Sequence, residues 1–209
     1  MKKQKIFSYQ FQNNLNEYNF FVNKTNFYAF NGLINNNNNN QSFLYGPIKS
    51  GKSFLSQIWL KKNKAIKLNN NFEELVKKNS NILIDDLRKF NEENIFHIVN
   101  NCILNDLKIL ITSDKKINQI YFRFNDLSSR LKTFANYEIK HPDDEMLLTI
   151  LTKLLVDKQF IIHTKDIFEY ILRRVDRSYE GIYNVVNKLD LISLEKKRQL
   201  TIPLIKEIL

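Results

Sequence analysis

The sequence predicts an α/β fold, a parallel sheet covered by helices on both faces, followed by a small all-helical domain. Three observations carry that expectation. Short apolar runs at residues 42–45, 65–68, 82–84 and 109–112 alternate with helix-type apolar spacing at 52–61 and 91–105, the pattern of βαβ crossovers. An unbroken string, Gly46-Pro47-Ile48-Lys49-Ser50-Gly51-Lys52-Ser53, links the first run to the first helix. After His141-Pro142 the strand-type runs stop, and apolar residues recur only at three- and four-residue spacing.

The elements follow in order. Residues 1–17 read as a flexible N-terminal arm. Six consecutive asparagines at 35–40 cannot bury apolar surface and read as a loop ahead of the first strand. The α/β domain spans 18–140, and a strand-like Tyr137-Glu138-Ile139 closes it. Pro142 pushes the residue before it away from helical geometry and marks the boundary to a helical domain at 141–209. There Asp143 or Asp144 caps a helix burying Met146, Leu147, Ile150, Leu151 and Leu154, and Thr164 caps one burying Ile167, Phe168, Ile171 and Val175. A third helix carries Ile182, Val185, Val186, Leu189 and Ile192. Thr201 starts a last short one with Pro203 in its first turn.

Composition narrows the class. A chain of 209 residues makes one domain, or one with a small second lobe, and 43% apolar residues suffice for a core. No run approaches the roughly 18 apolar residues of a membrane helix. The basic N-terminus lacks the apolar stretch of a signal peptide. The single cysteine, Cys102, cannot form an internal disulfide, so a reducing, cytoplasmic setting is expected. The net charge of +10 has two readings: a solvated surface drifted towards Lys, Asn and Ile, or a nucleic-acid or other acidic partner.

The string at 46–53 matches G-x-x-x-x-G-K-[ST] and sits between strand and helix, as a phosphate-binding loop must. Gly46 and Gly51 let backbone N–H groups close around phosphate oxygens, with Pro47, Lys49 and Ser50 forming the turn; the following helix adds its positive end. Lys52 would reach the terminal phosphates and the Ser53 hydroxyl would ligate Mg²⁺. The plainer alternative, a glycine turn among surface lysines, requires two of only four glycines to fall at this spacing by chance. Ile82-Leu83-Ile84 leads into Asp85-Asp86, carboxylates at a strand end where such sheets bind ligands. Asp85 would hold the metal and Asp86 would orient or activate the attacking water, or both could merely cap a helix. Ser113 and Asp114 end a third strand and could sense a terminal phosphate, or form a turn. In Asn125-Asp126-Leu127-Ser128-Ser129-Arg130-Leu131, Arg130 could reach a neighbouring subunit's phosphate or serve as a surface ion-pair residue. His97, His141 and His163 show no metal-ligand spacing and read as structural.

The order of these segments resembles the AAA+ ATPases of the bacterial replication initiator group, the DnaA family, and within it the regulatory inactivators. Phe20-Phe21-Val22-Asn23-Lys24-Thr25-Asn26 is similar to the segment that lies against adenine in those proteins, implicating Phe21, Val22 and Asn26. Ile111-Thr112-Ser113-Asp114 and Asp126-Leu127-Ser128-Ser129-Arg130-Leu131 look like the sensor-1 and arginine-finger segments, and the tail from Leu200 to Leu209 resembles the ending of the regulatory inactivators. Initiators continue into a helix-turn-helix domain, whereas this chain stops at Leu209, as an ATPase-plus-lid core would.

The resemblance implies ADP or ATP with Mg²⁺, the DnaA initiator and the DNA polymerase III sliding clamp as partners, and Arg130 acting in trans on the initiator's ATP. DNA contact would be weak or indirect. It implies no membrane, and self-association stays open. Gln4, Phe7 and Tyr9 fit the clamp-binding peptide loosely. Glu180 falls at the sensor-2 position, with Arg177 one turn earlier as a substitute. The Asp-Asp pair replaces the usual Asp-Glu, so intrinsic hydrolysis is expected to be slow or absent. The competing functions are a DNA-binding helicase loader and a small-molecule kinase, for which no acceptor site is evident.

Overall fold

The structure, a computed structural model, describes residues 20–36, 38–69, 79–162, 164, 166–207 and 209. His163 and the expected clamp peptide at Gln4, Phe7 and Tyr9 lie outside the described residues.

Five strands form one parallel sheet: β1 (Gln41–Tyr45), β2 (Ile66–Lys67), β3 (Ile82–Ile84), β4 (Ile109–Ser113) and β5 (Ala135–Glu138), in the order β2-β3-β4-β1-β5. In β1, Phe43 lies opposite Ile111 of β4 and Asn136 of β5. Because side chains alternate across a strand, each strand feeds both faces. Phe43, Ile82, Ile84, Ile109 and Ile111 pack under α3 (Glu92–Leu104) and α4 (Asn125–Lys132), against Ile95, Ile98, Leu127 and Leu131. Leu44, Leu83, Leu110 and Tyr137 face the other way, against α1 (Phe27–Phe30) and α2 (Lys52–Lys62).

The α1 helix, which hydrophobic spacing does not announce, runs on into a π-helical turn, Asn31–Asn35. Beyond it, Asn39 and Asn40 are held through their side-chain amides. Asn39 Nδ2 donates to the Tyr137 hydroxyl at 2.9 Å, and Asn40 Nδ2 donates to Asp106 at 2.6 Å.

The C-terminal part is helical: α5 (Asp144–Asp157), α6 (Asp166–Leu172), α7 (Tyr179–Lys196) and α8 (Ile202–Lys206). Leu147, Leu151, Leu155, Ile171, Val186 and Leu189 form its core. Asp143 caps α5 by accepting from Met146 N at 2.9 Å, and Thr201 caps α8 by accepting from Leu204 N at 3.5 Å. Ser178, not anticipated, caps α7 by accepting from Gly181 N at 3.0 Å. The α6 helix ends three residues before Val175, which packs on the core from the following turn. Among the described residues, no helix is long and apolar enough to cross a membrane.

Candidate nucleotide-binding site

The carboxyl ends of β1, β3 and β4 lie side by side, so residues 46–53, 85–86 and 113–114 are brought to one edge of the sheet. This is where an open parallel sheet offers a crevice to ligands. Gly46 leaves β1 so close to the chain following β5 that a Cβ would sit 2.5 Å from the Ile139 carbonyl oxygen. Gly51 has φ +91°, the left-handed region, and a Cβ there would come within 3.1 Å of the Phe20 ring. Phe20 is itself stacked between Phe30 and Phe54, at centroid distances of 5.8 and 5.7 Å.

Within the loop, Lys52 Nζ donates to the carbonyls of Gly46 and Pro47, both at 2.7 Å. Burial lowers the Lys52 pKa from its ordinary value, and the charges of Asp114 and Asp86 oppose that only in part. The Ser50 hydroxyl is buried and has no hydrogen-bond partner among the described residues. A glycine cradle, an orphaned buried hydroxyl and a lysine on the loop carbonyls fit a phosphate group. Lys49, at φ +63°, lies with its Nζ 5.7 Å from the Tyr183 ring centroid, so α7 overlooks the loop.

Asp85 is 8% exposed and both its oxygens are engaged. Oδ1 accepts from Ser53 Oγ at 3.1 Å and from Thr112 Oγ1 at 3.2 Å, while Oδ2 meets Lys67 Nζ at 2.6 Å. Ser53 and Asp85 are thus adjacent, as the metal reading requires, but the cation beside Asp85 is the protein's own ammonium. Asp86 adopts φ 73°, ψ 94°, with its N–H donating to Thr112 Oγ1 at 2.8 Å. Its carboxylate accepts from Arg88 Nε at 3.1 Å, and Arg88 also bridges to Asp114 Oδ2 at 2.8 Å. Ser113 Oγ accepts from Lys115 N at 3.1 Å.

The remaining expected residues make other contacts. Both polar atoms of the Asn26 amide serve its own turn: Nδ2 donates to Phe21 O at 2.9 Å and Oδ1 accepts from Asn23 N at 3.0 Å. Asn26 therefore shapes the segment, leaving Phe21 exposed and Val22 half-buried. Arg177 is ion-paired with Asp144 at the start of α5, and Glu180 is exposed in the first turn of α7. Arg130 is exposed on α4 with its guanidinium 5.8 Å from the Phe96 ring centroid.

Lys67, Arg88, Thr112 and Tyr183 were not singled out from the sequence. For Lys67 the signal was present: a lysine inside an otherwise apolar strand, next to the strand that carries Asp85.

A family model described as "Hda, lid domain" matches residues 144–209. Among solved structures, domain III of the replication initiation protein DnaA from Thermotoga maritima superposes with a TM-score of 0.75 at 18% identity, covering 92% of this chain and 94% of that one. AMPPCP-bound DnaA from Aquifex aeolicus gives 0.67 at 22% identity, covering 85% and 64%. The RuvB Holliday junction branch migration motor of T. maritima gives 0.60 at 14% identity, covering 80% and 60%. The chain spans about two thirds of the length of the AMPPCP-bound DnaA chain. Sequence identities this low bear on the fold alone.

Proposed function

We propose that this DnaA-like AAA+ protein, whose residues 144–209 match the Hda lid domain, binds an adenine nucleotide at residues 46–53 and promotes hydrolysis of ATP held by the initiator DnaA. The observation that carries the nucleotide reading is the loop itself, where Gly46, Gly51, the orphaned Ser50 hydroxyl and Lys52 converge. That one of the similar structures is AMPPCP-bound DnaA supports the choice of an adenine nucleotide. The bound phosphates supply the negative charge that the loop N–H groups and Lys52 are placed to receive. Phe21 and Val22 would flank the base, with Asn26 holding their turn. Ser53 and Asp85 are the residues that would hold Mg²⁺, which would have to compete with Lys67 for the Asp85 carboxylate. Ser113, Asp114 and Arg177 would sense the nucleotide from the strand end and the lid.

The trans reading rests on Arg130, which the fold leaves exposed on α4. An arginine delivered to a neighbour's γ-phosphate stabilises transition-state charge and raises rates by roughly 10³–10⁵, which is about 4–7 kcal/mol. Asp86 and Asp114 share Arg88, which supports little turnover by this chain itself. Dependence on the sliding clamp belongs to the same proposal.

The test measures hydrolysis by ATP-loaded DnaA in the presence of DNA-loaded clamp, with wild type and with Arg130→Ala. Stimulation by wild type alone is expected. Tight nucleotide binding with no stimulation would retire the regulatory role and favour the DNA-binding loader reading, for which a steep salt dependence of DNA affinity is the signature.

A further inference from the structure

We propose that Lys67 is the resident cation of the Asp85 carboxylate, so that an adenine nucleotide binds here with little dependence on Mg²⁺; this rests on the nucleotide reading of residues 46–53. The geometry begins with strand order. Lys67 ends β2 and is paired in register with Leu83 of β3, two residues before Asp85. Its four-carbon stem carries Nζ along the sheet edge to Oδ2 at 2.6 Å. The other carboxylate oxygen is filled by the Ser53 and Thr112 hydroxyls. Both oxygens of Asp85, which would bind a metal or its waters, thus already have partners.

Charge makes the same point. In phosphate-loop proteins, Mg²⁺ lets a strand-end carboxylate stand close to phosphate oxygens without repelling them. Mg²⁺ also demands a near-octahedral oxygen shell and keeps several waters. An ammonium on Oδ2 occupies part of that shell and repels a second cation. Lys67 cancels the Asp85 charge by itself, leaving Lys52 to face the phosphates. Asp86, the other carboxylate beside Asp85, is already taken by Arg88. Among the described residues no cluster of three His, Cys, Asp or Glu side chains offers another metal site.

Removing the ammonium restores the ordinary situation, an unpaired carboxylate beside a polyanion, which only a metal can bridge. The experiment titrates fluorescent mant-ADP against the full chain in EDTA and in millimolar MgCl₂, for wild type, Lys67→Met, Lys67→Gln and Lys67→Arg, each checked for a native circular dichroism spectrum. Wild-type affinity is expected to differ by less than about threefold between the two buffers. Lys67→Met and Lys67→Gln are expected to lose about tenfold or more in EDTA, from repulsion between the unmatched Asp85 charge and the phosphates, and to recover in MgCl₂. Lys67→Arg keeps the wild-type pattern. A wild type that needs Mg²⁺, or neutral variants indifferent to it, overturns the proposal while leaving nucleotide binding in place. No wild-type binding in either buffer overturns the nucleotide reading, and the role of Lys67 with it.

Discussion

Replacing Lys67 by methionine keeps the apolar stem of the side chain and removes its ammonium from Asp85, 2.6 Å away. The carboxylate left behind, 9% exposed with the ammonium in place, loses its charged partner and retains just the Ser53 and Thr112 hydroxyls. At that distance and an effective dielectric constant near 20, the gross attraction lost is about 6 kcal/mol. Most of it is offset, because the ammonium is 46% exposed and regains water in the unfolded chain. The net loss is that of a hydrogen bond to a charged group, about 2 kcal/mol. Cutting the pair from the other end is milder. In Asp85→Asn the amide oxygen still accepts from both hydroxyls and Lys67 turns into solvent, for a cost under about 1 kcal/mol. Urea unfolding of the two variants reads the difference directly.

The pH dependence adds a signature. Burial acts to raise the Asp85 pKa, but the hydrogen bond and charge of Lys67, with the Ser53 and Thr112 donors, outweigh it and hold the carboxyl below its ordinary value of 3.8. A group whose folded pKa is depressed contributes stability that is complete above the unfolded pKa and is lost as pH falls through the folded one. Lys67→Met removes the chief depressing influences and raises the folded pKa. The gap between wild type and variant should therefore be full at neutral pH and narrow as the pH falls through the carboxylate range. Equal costs from the two ends, or a gap that ignores pH, would refute the asymmetry.

Two further outcomes are expected elsewhere in the molecule. Leu151→Ala, at a fully buried position in the core of the helical domain, should lower stability by about 3 kcal/mol, read as a shift in the urea midpoint. Burial pushes the Cys102 thiol up to about 12, so it should react with Ellman's reagent at mildly alkaline pH only once the chain is unfolded.

The elements that were legible in the sequence are those whose pattern is local. Phe43-Leu44 and Leu110-Ile111 read as strand because consecutive residues are buried on opposite faces. The Gly46–Ser53 string, read as a phosphate loop, is likewise local, and Asp143 and Thr201 cap helices through bonds to residues three positions on. Contacts made across the sheet were not legible. Lys67 reaches Asp85 only because β2 lies beside β3, and Thr112 only because β4 lies on its other side. Arg88 looks like one more surface arginine until the ends of β3 and β4 come together and place Asp86 and Asp114 within its span. The α1 helix was hidden by its shortness and by the asparagines after it, of which Asn39 and Asn40 bond to Tyr137 and Asp106 far along the chain.

The charges at the sheet edge can be followed one by one. Asp85 is matched by Lys67, and Asp86 and Asp114 share Arg88. Of the four cations in this group, Lys67, Arg88, Lys89 and Lys52, only Lys52 rests on uncharged carbonyls, those of Gly46 and Pro47. An arriving phosphate therefore competes with two neutral hydrogen bonds for Lys52, whereas a metal or an attacking water must first displace a lysine or an arginine from a carboxylate. That ordering favours holding a nucleotide over turning it over. It places the burden of catalysis on a group outside this cluster, which is the role proposed for Arg130 on a neighbouring molecule's ATP.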